Sequence, residues 1–76
     1  MENVKITSEY ITLGQLIKFA NIASSGGMVK AILQEYKISV NGLEEKRRGK
    51  KLYPGDKISV KSIGEFRIIQ QWELIP

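Results

Sequence analysis

Two turn signals fix most of what the second half of this 76-residue chain can become. Val40-Asn41-Gly42 reads as a strand running into a hairpin turn, because Asn-Gly tolerates the positive φ angles that a tight connection demands. Tyr53-Pro54-Gly55-Asp56 is a second turn, with Pro fixing one φ and Gly free to enter the left-handed region. Between them Lys46, Arg47, Arg48, Lys50 and Lys51 place five cations in six positions. Such a run repels itself without an anion. A small β scaffold that holds it in place points to phosphate as the partner, and to RNA as its carrier.

The rest of the chain supplies that scaffold. Val4-Lys5-Ile6-Thr7 alternates apolar and polar, which predicts a short first strand. Thr12 followed by Gln15 forms a capping box, and Leu13, Leu16, Ile17 and Ala20 recur at helical spacing, predicting a helix from Leu13 to about Asn21. Ser24-Ser25-Gly26-Gly27 ends it and opens a second helix, whose apolar stripe is Met28, Val29, Ile32, Leu33 and Tyr36. Lys37 to Val40, Ile58 to Val60, and Glu65 to Trp72 carry strand signals, the last preceded by a turn or bulge at Gly64. The expected order is β-α-α-β-β-β, an α+β domain with a helix pair packed on a small, mostly antiparallel sheet.

Composition narrows the function. The chain has room for one domain, residues 1–76, burying only about 60% of its unfolded surface. At 42% hydrophobic and 26% charged residues it has the make-up of a globular fold rather than a disordered one. It contains neither Cys nor His. That excludes a disulfide framework, a structural zinc site of the usual kind, and Ser-His or Cys-His nucleophilic pairs. No paired-acid or phosphate-loop motif is present, so no catalytic residue, metal or cofactor is expected. Met1 to Tyr10 carries charges throughout, unlike a signal peptide, and no apolar run approaches the ~20 residues of a membrane span. A cytoplasmic monomer is the expectation. The net charge of +4 favours an anionic partner, and its uneven placement favours one more strongly.

The segments ITLGQLIKF (Ile11–Phe19), SGGMVKAILQEYKISVNG (Ser25–Gly42) and PGDKISV (Pro54–Val60), in that order, resemble the S-four RNA-binding family and its αL motif. The resemblance covers about residues 11–60. It departs from the family pattern twice: Gly26 stands where Arg usually follows the helix-two Ser, and Tyr36 where Gly is frequent. Ser-Gly-Gly, Lys30 and the basic loop are similar to the short stand-alone bacterial subgroup of YaaA and YbcJ type. The resemblance implies a whole-protein RNA-binding module near ribosomal or other structured RNA, in ribosome assembly or translation.

Candidate RNA contacts follow from charge and backbone geometry. Lys46, Arg47, Arg48, Lys50 and Lys51 are phosphate ligands in this reading and a solvated loop in the plainer one. Ser25, Gly26 and Gly27 leave free N–H groups at a helix N-terminus, where an anion is favoured, although a plain cap explains them too. Lys30, one turn on, supports the same phosphate. Lys37 extends the basic surface. Asn41 has a turn role and, through the family resemblance, a polar RNA contact. Glu44 and Glu45 are read as partners of nearby cations rather than catalytic acids. Tyr36, Phe19 and Trp72 have the chemistry to stack on bases, but a domain this small is expected to keep them inside.

Two other functions stay open. A β-grasp sulfur carrier also resembles Val-x-Val-Asn-Gly with a basic loop, but its chemistry needs a terminal diglycine, and this sequence reads Trp72-Glu73-Leu74-Ile75-Pro76 there. A protein-interaction module whose basic face meets an acidic partner is compatible with every residue discussed.

Overall fold

The computed structural model describes residues 1–71, so Trp72, expected in the core and at the end of the last strand, lies outside the described residues. The elements are β1 (Glu2–Ile6), β2 (Ile11–Thr12), α1 (Leu13–Phe19), α2 (Gly26–Glu35), β3 (Ile38–Val40), β4 (Leu43–Glu44), β5 (Lys51–Leu52), β6 (Lys57–Val60) and β7 (Gly64–Gln70). The larger sheet has the order β1-β7-β6-β3-β4, and β2 and β5 form a separate antiparallel pair. The fold is thus the expected α+β arrangement, two helices on a mostly antiparallel sheet. Three short strands (β2, β4 and β5) are added to the expected order. The pairing of β1 with β7 is parallel.

Both helices begin and end where local chemistry places them. Gln15 N–H donates to Thr12 Oγ1 at 3.2 Å and Thr12 N–H to Gln15 Oε1 at 2.8 Å, which completes the capping box. α1 stops at Phe19, two residues short of Asn21, because Asn21 adopts φ +60°. Ile22 N–H then donates to Ile17 O and Asn21 N–H to Lys18 O, a Schellman closure with Asn in the left-handed position. In α2, Ser25 is the N-cap, and its Oγ accepts from Met28 N–H.

One face of the sheet is buried under the helices, as strict alternation along β1, β3 and β6 requires. Val4, Ile38, Val40, Ile58, Val60 and Ile68 meet Leu16, Ile17, Val29 and Leu33 in one cluster. The stripe on α2 is narrower than expected, since Met28 is exposed while Ile32 and Tyr36 pack at the core's edge. Phe19 is also outside the core, 66% exposed. It lies off the Leu13/Leu16/Ile17 face, and helical spacing overrides the tendency of aromatics to go inside.

The two turns interlock at the end of β3. Asn41 and Gly42 have φ +52° and +86°, the two positive angles of a two-residue hairpin between Val40 and Leu43. Asn41 Nδ2 donates to Asp56 Oδ1, Lys57 N–H donates to Asn41 Oδ1, and Tyr53 N–H donates to Asp56 Oδ2. The basic segment therefore leaves and re-enters the sheet from two turns latched to each other.

Candidate nucleic-acid interface

The loop between those turns is clamped to the start of α1. β5 pairs with β2, placing Leu52 against Ile11 and Lys51 against Thr12. Leu13 N–H donates to Lys50 O at 2.8 Å and Gly14 N–H to Arg48 O at 2.9 Å. Two of the four amides that a helix leaves without internal partners are thus satisfied by the loop's own carbonyls. Gly14 permits this approach: a Cβ there would stand 3.3 Å from Arg48 O and 3.4 Å from Arg48 Cβ. Lys50 N–H also donates to Arg47 O, closing a turn over Arg47–Lys50. The backbone of the cationic run is fixed and its side chains project.

Glu45 organises the start of the loop. Its carboxylate accepts the backbone N–H groups of Lys46 and Arg47, and the Arg47 guanidinium binds it through Nε at 3.0 Å and Nη2 at 3.1 Å. The Glu45 side chain is only 13% exposed while that of Arg47 is 74% exposed. The Arg47 guanidinium, followed by its backbone amide, holds the Glu45 carboxyl well below the usual carboxylate range, at about 2. A lowered folded-state value means that the contact's contribution is complete above about pH 4.5 and is lost as pH falls through about 2. An NMR titration of the Glu45 carboxyl is therefore expected to show a midpoint near 2, with the Arg47 Nε–H resonance moving in step. A midpoint in the ordinary glutamate range would dissolve the clasp. Of the two glutamates expected to pair with cations, Glu45 does so, whereas Glu44 makes no ion pair among the described residues.

Across from the loop, α2 presents Lys30. Lys30, Leu33 and Gln34 from the helix and Lys46 and Arg48 from the loop line one open groove of about 520 Å³. Lys30, Lys46 and Arg48 are exposed and have no ion-pair partner among the described residues. The amides of Gly26 and Gly27 are the first two of α2, and a Cβ at Gly26 would meet nothing within 4 Å, so an open approach exists there. At the far side of the loop Lys51 Nζ lies 4.9 Å from the centre of the Tyr10 ring, itself 5.7 Å from the ring of Tyr53.

Not every candidate joins this cluster. Lys37 sits at the opposite end of β3 from the latched turns, where its carbonyl accepts from Lys61 N–H and the two lysines border a separate depression. Asn41 is committed at both ends of its amide to Asp56 and Lys57. Tyr10 and Tyr53 were absent from the sequence-derived site. The sequence carries no signal for them, because Tyr10 reaches Lys51 only through the β2–β5 pairing.

A family model described as S4 domain matches residues 4–69. That span takes in the second half of β1, from Val4, and nearly all of β7, and is wider than the 11–60 carried by the sequence motifs. The curated protein "Probable ribosome maturation protein RlbA" of Bacillus subtilis (strain 168) is 42% identical over 66 residues, covering 87% of this chain and 93% of that protein.

Proposed function

We propose, from the premise that this chain belongs to the S4 domain family, that it is a non-catalytic cytoplasmic module that binds structured ribosomal RNA during ribosome maturation. The observation that carries the reading is the convergence of Lys30 from α2 with Lys46 and Arg48 from the clamped loop on one groove. Cations fixed on two elements match the spaced phosphates of a folded RNA, which proteins recognise largely by shape and backbone. Lys50 and Lys51 continue the phosphate contacts along the loop. The first amides of α2, behind the Ser25 cap, offer a further anion position. Arg47 acts differently: bound to Glu45, it shapes the loop and presents its outer edge. Lys37 and Asn41 are left out of the interface. The ribosomal setting is taken from the name of the Bacillus subtilis relative and from the family, and among the described residues no helix is long and apolar enough to cross a membrane.

Salt dependence tests this reading. With five cations engaged (Lys30, Lys46, Arg48, Lys50 and Lys51), affinity for purified ribosomal RNA should fall roughly a hundredfold or more between about 50 and 200 mM salt. Filter binding across that range measures it. A flat profile would remove phosphate from the contact. A complex recovered from cells that survives nuclease would favour an acidic protein partner instead.

A further inference from the structure

The exposed ring of Phe19 opens a second part of the surface. It borders an open groove of about 630 Å³ whose lining includes Lys5, Ile6, Ile11 and Lys18. Neither Lys5 nor Lys18 is ion-paired among the described residues. A groove that brings Ile6 and Ile11 together with an exposed aromatic ring and two lysines suits a nucleotide, the base on the ring and its phosphate on the lysines. It suits an apolar protein surface poorly, because two ammonium groups would be desolvated without partners.

Shared lining residues link this groove to the basic one. Gln15 and Lys18 line both it and a small notch of about 90 Å³, and Arg48 lines both that notch and the Lys30/Lys46 groove. The path thus runs from α2 over the loop, past Gly14, and along α1 to its last residue. We infer that Phe19, with Lys5 and Lys18, forms a stacking site for an unpaired nucleotide of the same RNA, next to the structured element held by the basic loop. The inference rests on the proposed RNA-binding function. It adds a preference for a junction between paired and unpaired RNA, which phosphate contacts alone do not confer.

The test compares an RNA hairpin carrying a short single-stranded adenosine tail, with 2-aminopurine in the tail, to the same hairpin blunt-ended. The native chain should bind the tailed form more tightly and quench the 2-aminopurine. Phe19→Ala should lose about tenfold in affinity for the tailed hairpin, the order expected for one base–aromatic stack, with no change for the blunt one. Phe19→Tyr should retain the preference and Phe19→Leu should not, because an aromatic face rather than apolar bulk is required. The ring is exposed, so all three variants should melt with the native chain. Equal binding of both hairpins by the native chain and Phe19→Ala would overturn the stacking site and leave the basic interface standing. Binding of neither hairpin would overturn this site, and if purified ribosomal RNA also went unbound it would remove the RNA reading with it. Phe19-dependent self-association without RNA would assign the groove to a protein contact and overturn the proposal.

Discussion

Replacing Lys46 and Arg48 together by glutamate is expected to weaken binding to structured RNA at least tenfold while leaving the melting temperature almost unchanged. Both side chains are exposed, both line the groove opposite Lys30, and neither has an ion-pair partner among the described residues. Each reversal removes an attraction and installs a repulsion, and exposed substitutions away from packing usually stay within about 0.5 kcal/mol of native stability. With two phosphates no longer neutralised, the slope of log affinity against log salt should become shallower by roughly 1.5 to 2. Arg47 is a poorer choice for reversal, although sequence alone gives it equal weight. A glutamate at that position would face Glu45 and disturb the start of the loop, so weaker binding would have two causes. Binding unchanged in the Lys46/Arg48 variant would take the loop out of the interface.

Gly14→Val should lower both stability and RNA affinity. Even the first carbon of a side chain meets Arg48 O at 3.3 Å, Arg48 Cβ at 3.4 Å and Val29 Cγ1 at 3.6 Å, and valine adds two methyl groups beyond it. Relief requires the loop to move away, and the Gly14 N–H to Arg48 O bond goes with it. Overpacking of this kind costs about 1–3 kcal/mol, which for a domain of this size lowers Tm by roughly 5–20 °C. Affinity should fall severalfold, because Arg48 no longer stands opposite Lys30. Gly49→Ala is the matched control: a Cβ there meets nothing within 4 Å, so a change in the same loop should be tolerated. A Gly14→Val chain that melts and binds like the native one would show that the clamp does not position the loop.

What was legible in the sequence is what local chemistry decides. The Thr12/Gln15 box, the Ser25 cap and the Asn41-Gly42 hairpin each depend on residues within four positions of one another, and each forms as their chemistry requires. The alternation at Ile38/Val40 and Ile58/Val60 likewise marked the two central strands, which pair antiparallel. The clamp was not legible. Its strands are two residues long, and Ile11 meets Leu52 across about forty positions that no periodicity connects. The parallel pairing of β1 with β7 is hidden for the same reason, since it joins opposite ends of the described chain.

The site was legible in charge but not in geometry. Composition located the five loop cations, yet could not say that Arg47 is clasped by Glu45 rather than Glu44, because the two carboxylates differ only in which way the strand turns them. Nor could it choose between Lys30, which faces the loop, and Lys37, which borders a different depression. Phe19 is the instructive case. Its size argued for the core, while its place off the Leu13/Leu16/Ile17 stripe already argued for exposure, and the stripe prevails.

The most direct test of the central claim is recovery of RNA crosslinked to this chain in cells, with the Lys46→Glu/Arg48→Glu variant alongside. The account predicts enrichment of a discrete ribosomal RNA segment by the native chain and its loss in the variant at equal protein abundance. No enrichment over background, with the folded protein plentiful, would contradict it.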